Sequence, residues 1–125
     1  YQAGRVEATG YDVADAAVAG NSAKALTLAR HAFATGIAPQ LLVTALAMKF
    51  RAMAKVSIGG SASVLKMAPW QVDRARRELR GWSDASLAGA FGAIATADAE
   101  TKGASRDPQR AIEKAIITIC RLHGR

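Results

Sequence analysis

The sequence predicts an all-α fold, a compact bundle of about five to seven helices, and three observations carry that prediction. Apolar residues recur at helical spacing over 39–56, 83–102 and 108–122, which marks the long core helices. Half of the 125 residues are hydrophobic but only 6% are aromatic, and alanine is abundant. That composition suits close-packed helices better than sheets of β-branched and aromatic side chains. Start and stop signals punctuate the periodic stretches, with Pro39, Pro69 and Pro108 in first turns and Gly20, Gly36 and Gly103 at ends. A chain of this length can bury roughly 65–70% of its extended surface in a single core, so it reads as one domain.

The first ten residues, with Gly4 and Gly10, read as an extended lead-in, and residues 1–11 are set apart from a helical domain over 12–125. Asp12 is then the cap of a short helix ending near Gly20. Asn21 or Ser22 caps a second helix, with Leu26, Ala29 and Phe33 as its inward stripe. His31 falls on the other face with no second histidine or cysteine near it, so it reads as a surface imidazole and not a metal ligand. Pro39 opens a long helix in which Leu42, Leu46, Phe50 and Met53 form the stripe and Val43, Ala47 and Ala54 widen it. Met48 and Met53 are expected as gap-filling core residues. Lys49, Arg51 and Lys55 are expected toward solvent or a partner.

Ser57 to Ser63, SIGGSAS, reads as a flexible loop, and no GxxxxGK[ST] pattern makes it a phosphate loop. After a short turn over 64–68, Pro69 opens a basic helix with Val72, Ala75 and Leu79 inward and Arg74, Arg77 and Arg80 outward. Asp73 and Glu78 stand at i, i+4 spacing from Arg77 and Arg74, suited to pairing. Trp70 and Trp82 bracket this helix and are expected to anchor its ends to the core, with base stacking as the alternative use. Ser83 or Asp84 caps the following helix, which runs to about Lys102. Leu87, Phe91, Ile94 and Asp98 fall there at i, i+4, i+7, i+11, so the Asp98 carboxylate extends an apolar stripe with Lys102 one turn beyond. A carboxylate so placed needs hydrogen bonds or a cation such as Lys102, and Asp98 is therefore read as structural.

Gly103 supplies the stop, and Asp107 followed by Pro108 reads as N-cap plus first helical residue. The last helix runs to about Leu122. Ile112, Ala115, Ile116, Ile117, Ile119 and Leu122 make it apolar over much of its circumference, which predicts burial in the core or at an interface between subunits. Cys120 is expected to be a small core residue, and His123 to lie in a fraying tail.

The formal net charge is +7, which invites phosphate contacts. The dense cluster is Arg74, Arg76, Arg77 and Arg80, and Lys66 precedes it; Lys66, Arg74, Arg77 and Arg80 are the candidate DNA or partner contacts. Catalysis finds no support. Asp98 and Glu100 stand at i, i+2 and face apart on a helix, the two histidines are isolated, and no nucleophile has a base in a recognisable motif. No cofactor and no metal site is expected. A single cysteine, no apolar run of about 18 residues and no leader pattern point to a cytoplasmic chain without a membrane span.

Three segments together carry a resemblance. The pattern A-D-x-x-x-K-G at Ala97 to Gly103, a short polar turn, Asp107-Pro108, and then an amphipathic helix holding Glu113 and Cys120 resembles the C-terminal end of the delta subunit of the bacterial DNA polymerase III clamp loader. Upstream, GRVEATGYDVADAAVAGNSAKAL from Gly4 to Leu26 looks like the way that subunit enters its last domain, particularly in high-GC bacteria. Ala68-Pro69-Trp70 leading into QVDRARRELRGWS resembles the family's helix start, basic helix, tryptophan and serine cap. The resemblance implies a collar-like bundle, an excised third domain whose preceding domains are missing, in which Asp98, Lys102, Gly103, Asp107 and Pro108 are structural motif residues. It further implies a role in DNA replication: assembly with sister subunits of the tau/gamma and delta-prime type, and contact with the sliding clamp only through the missing N-terminal region. The chain itself is then not an enzyme, although its parent subunit belongs to a polymerase holoenzyme. A basic all-α nucleic-acid-binding module is the alternative, with DNA contact expected to be weak.

Overall fold

The computed structural model describes residues 2–104 and 106–125. It is 83% helical, with no strand among the described residues. The elements are α1 (Gln2–Val18), α2 (Ser22–Ala34), α3 (Pro39–Ile58), a one-turn α4 (Ala62–Leu65), α5 (Pro69–Glu78), α6 (Asp84–Ala99) and α7 (Pro108–Leu122). A 3₁₀ turn, Leu79–Gly81, follows α5, and a wider π-type turn, Glu100–Ala104, follows α6.

The long helix α3 is the central member, packed on α1, α5, α6 and α7, while α6 pairs with α7 and α2 bridges α1 and α7. Its stripe explains the position. Leu42, Leu46, Phe50 and Met53 are fully buried and meet Ile112, Ile116 and Ile119 of α7 in one continuous core. Full burial of such side chains stabilises by roughly 1.5–3 kcal/mol each. Caps hold the ends as the sequence suggests: Asn21 accepts from Lys24 N, Ser83 from Ser86 N and Asp107 from Arg110 N.

Several expectations are corrected. Residues 2–18 form one helix, so Asp12 caps nothing and the lead-in is not extended. Gly10, a weak helix former, is where α1 touches α3: a Cβ there would stand 3.0 Å from Ala45 Cβ. Its helix penalty of about 1 kcal/mol is offset by the close approach it permits. In α2 the buried stripe is Ala25, Ala29 and Ala32, with Leu26 and Phe33 only half-buried, because small side chains let α1 and α2 pack closely.

Two neighbours on α3 exchange their expected places. Met48 is 49% exposed, whereas the Lys49 side chain is only 13% exposed. Trp82 anchors the end of α5 as expected, edge-on to Phe50 at 5.1 Å with Nε1 donating to Val18 O at 3.1 Å, but Trp70 is exposed. Helix α7 is one-sided and not apolar all round: Ala111, Ile112, Ala115, Ile116 and Ile119 are buried, while Arg110, Lys114, Thr118 and Arg121 face out. Nor does the C-terminus fray. His123 packs edge-on against Trp82, ring centroids 5.9 Å apart, and Gly124 N donates to Gly81 O at 2.7 Å.

Candidate functional site

Three helices frame a broad concavity. Helices α1, α3 and α5 line an open groove of about 740 Å³, and a ring of charged side chains bridges the three helices there. Lys49, at i+7 from Leu42, sits on the core stripe of α3 and so points between α1 and α5. Its Nζ lies 2.9 Å from Asp15 Oδ1 of α1 and 2.7 Å from Glu78 Oε2 of α5. Arg74 of α5 completes the ring, with Nη2 2.6 Å from Asp15 Oδ2 and Nε 3.7 Å from Glu78 Oε2. Two cations and two anions thus neutralise one another at the floor. A half-buried lysine without these carboxylates would carry a large desolvation penalty.

Above that floor the lining is of another kind. Tyr11 of α1, Met48 of α3 and Trp70 of α5 are 46%, 49% and 63% exposed, and all three line the same cavity. Arg51 and Lys55, one and two turns beyond Met48, also line it and take no part in the ring. Asp12 is the remaining acid. Such a groove offers apolar side chains and two cations that form no ion pair among the described residues, which is the chemistry of docking.

Of the candidate DNA or partner contacts Lys66, Arg74, Arg77 and Arg80, only Arg74 reaches this groove, and its charge is engaged by Asp15 and Glu78. Arg77 and Arg80 are exposed, and the expected Asp73–Arg77 pair does not form. Lys66 ends α4 in the left-handed region, φ 56°. The four therefore do not converge on one site.

The second cluster lies where α6 ends. Lys102 Nζ is 3.1 Å from Asp98 Oδ2, as the i, i+4 spacing suggests. The other carboxylate oxygen accepts from Gln40 Nε2 at 2.9 Å, and Thr101 Oγ1 donates to Gln40 Oε1 at 2.6 Å. The Gln40 hydrogen bond first, and the Lys102 contact second, hold the Asp98 carboxyl below the usual carboxylate range. This ties the start of α3 to the end of α6. Gly103, at φ 128°, then turns the chain toward Asp107 and Pro108, a conformation that L side chains rarely adopt. Sequence reasoning missed Gln40, which no local pattern connects to Asp98. It also missed Asp15 and Lys49, although the latter carried a signal, being a charge at a stripe position like Asp98.

Elsewhere, Cys120 is half-buried, and burial pushes its thiol up from the ordinary value. Among the described residues, no three His, Cys, Asp or Glu side chains gather as a metal site, and no helix is long and apolar enough to cross a membrane.

Against this geometry stand the comparisons with known proteins. The family described as DNA polymerase III delta subunit, C-terminal domain, matches residues 7–119. Among solved structures, the chain is similar to the Bacillus subtilis DNA clamp loader delta protein (YqeN), with a TM-score of 0.77 and 19% identity. That match covers 93% of this chain but 37% of the other, so the present chain spans little more than a third of that protein. At such identity the likeness is one of fold. No curated protein matches the chain.

Proposed function

The chain belongs to the family of C-terminal domains of the DNA polymerase III delta subunit, and from that membership we propose that it is the assembly, or collar, domain through which a clamp-loader subunit joins its sisters. The observation that carries the reading is the family match over 113 of 125 residues, from 7 to 119, on a fold held by its own continuous core. In this reading the bundle joins sister subunits of the tau/gamma and delta-prime type in the cytoplasm, and so serves the opening and loading of a sliding clamp during DNA replication. Clamp contact belongs to a preceding region. Residues 1–11 are the connection to that region, with 2–11 in the first turns of α1, and 12–125 form the collar proper.

Two measurements test it. Co-purification of the chain with sister subunits in moderate salt is expected, and its failure would remove the assembly reading. Surface plasmon resonance against the isolated clamp is expected to give no tight binding, and tight binding would show that the functional surface is elsewhere.

The basic alternative draws on the net charge of +7 and on the exposed Arg76, Arg77 and Arg80. Engagement of Arg74 with two carboxylates weakens it. A steep salt dependence of duplex binding at sub-micromolar affinity would promote it.

A further inference from the structure

We infer that the groove between α1, α3 and α5 receives an amphipathic helix with an acidic flank, contributed by a sister subunit. The inference rests on the assembly reading and assigns to it a surface and a partner chemistry.

Three exposed apolar side chains from three different helices meet at one groove: Tyr11, Met48 and Trp70. Isolated exposed apolar residues need no explanation, but convergence of a tryptophan, a tyrosine and a methionine does. These are the residue types that supply hot-spot area and adaptable packing at interfaces. The cavity, about 740 Å³, accommodates a row of side chains, and a trough between helices suits a helix offering i, i+3/i+4, i+7 anchors.

Charge decides which helix. Asp15, Lys49, Glu78 and Arg74 pair among themselves at the floor and leave no net charge there. What remains on the lining is Arg51 and Lys55 along one side of α3 and Asp12 on α1, a net positive rim. An acidic flank on the incoming helix would lie against Arg51 and Lys55, and Asp12 would repel an acidic residue placed on the α1 side. The rim thereby sets the orientation of the bound helix as well as its sign. A second copy of this chain, itself at +7, is the poorer electrostatic match.

The test uses this chain with its sister subunits, and two variants that leave the core intact: Trp70→Ala, and the double reversal Arg51→Glu with Lys55→Glu. All three positions are exposed, and thermal melts confirm that the variants remain folded. Arg121→Glu, on the outer face of α7, is the control. Each groove variant is expected to weaken association with the sister subunits about tenfold or more, with the control unchanged and the loss in the charge reversal shrinking as salt is raised. Equal affinity of wild type and groove variants would overturn the groove while leaving the assembly reading in place. Absence of any complex with wild type would instead remove that reading and this one together. Trp70-dependent self-association of the chain alone, or loss of duplex DNA binding in the charge reversal with sister-subunit association intact, would overturn the assigned occupant.

Discussion

The Asp98 carboxylate is held from two sides, by Gln40 of α3 and by Lys102 one turn beyond it. Its stripe position foretells a compensated carboxylate, and Lys102 is one partner, but Gln40 donates the shorter bond. Because these contacts depress its folded pKa, their stabilisation is present above the unfolded value, about 3.9, and is lost as pH falls through the folded one. Asp98→Asn should therefore melt below wild type at pH 7, with the gap closing on acidification below about pH 4. Parallel melting curves down to pH 3 would contradict this. Lys49 is the more buried determinant, its amine lying within 2.9 Å of both Asp15 and Glu78 beside the more exposed Arg74. Lys49→Ala should cost about 1–3 kcal/mol by leaving both carboxylates undercompensated, measurable by urea denaturation. For Cys120, burial keeps the thiol protonated, so alkylation at pH 8 should be slow in the native chain and fast in denaturant.

At the scale of elements, α1 is the instructive case. Two glycines and an aspartate at 12 look like an extended lead followed by a cap, and the helix overrides both signals because its face is buried on α2 and α3. Gly10 is the position where that burial is tightest. Gly10→Leu should destabilise by about 1–3 kcal/mol through overpacking against Ala45, whereas helix propensity alone would forecast a gain. Equilibrium unfolding distinguishes the two outcomes by sign. Helix α7 behaves in the opposite way: its cap at Asp107, its proline at 108 and its isoleucine stripe all agree, and the helix spans the expected residues.

For the whole molecule, the core is organised around Phe50, which is fully buried and touches both Trp82 and Phe91 edge-on. Phe50→Ala should cost about 3–5 kcal/mol, a large share of the stability of a domain this size, and should unfold α3, α6 and the Trp82 corner together. Coincident loss of helical circular dichroism and of tryptophan fluorescence change is the expected sign of that cooperativity. The docked C-terminus belongs to the same unit, since His123 covers Trp82 and the Gly124–Gly81 hydrogen bond closes it over the 3₁₀ turn.

By itself the sequence determined the class of fold, the starts of α2, α3, α5, α6 and α7, the Asp98–Lys102 pair and the family resemblance. All of these are set by interactions within a few residues: periodicity, capping, proline at N1 and glycine at a positive φ. Tertiary structure alone decided which face of each helix is covered. Met48 and Lys49 are adjacent, and nothing local says that the lysine turns inward; that follows from Asp15 and Glu78, brought to it from 34 and 29 residues away along the chain. The same holds for Gln40 against Asp98, for Gly10 against Ala45, and for the groove itself. Each depends on where helices cross, and crossing geometry is a sum of many small packing energies that no short stretch of sequence contains.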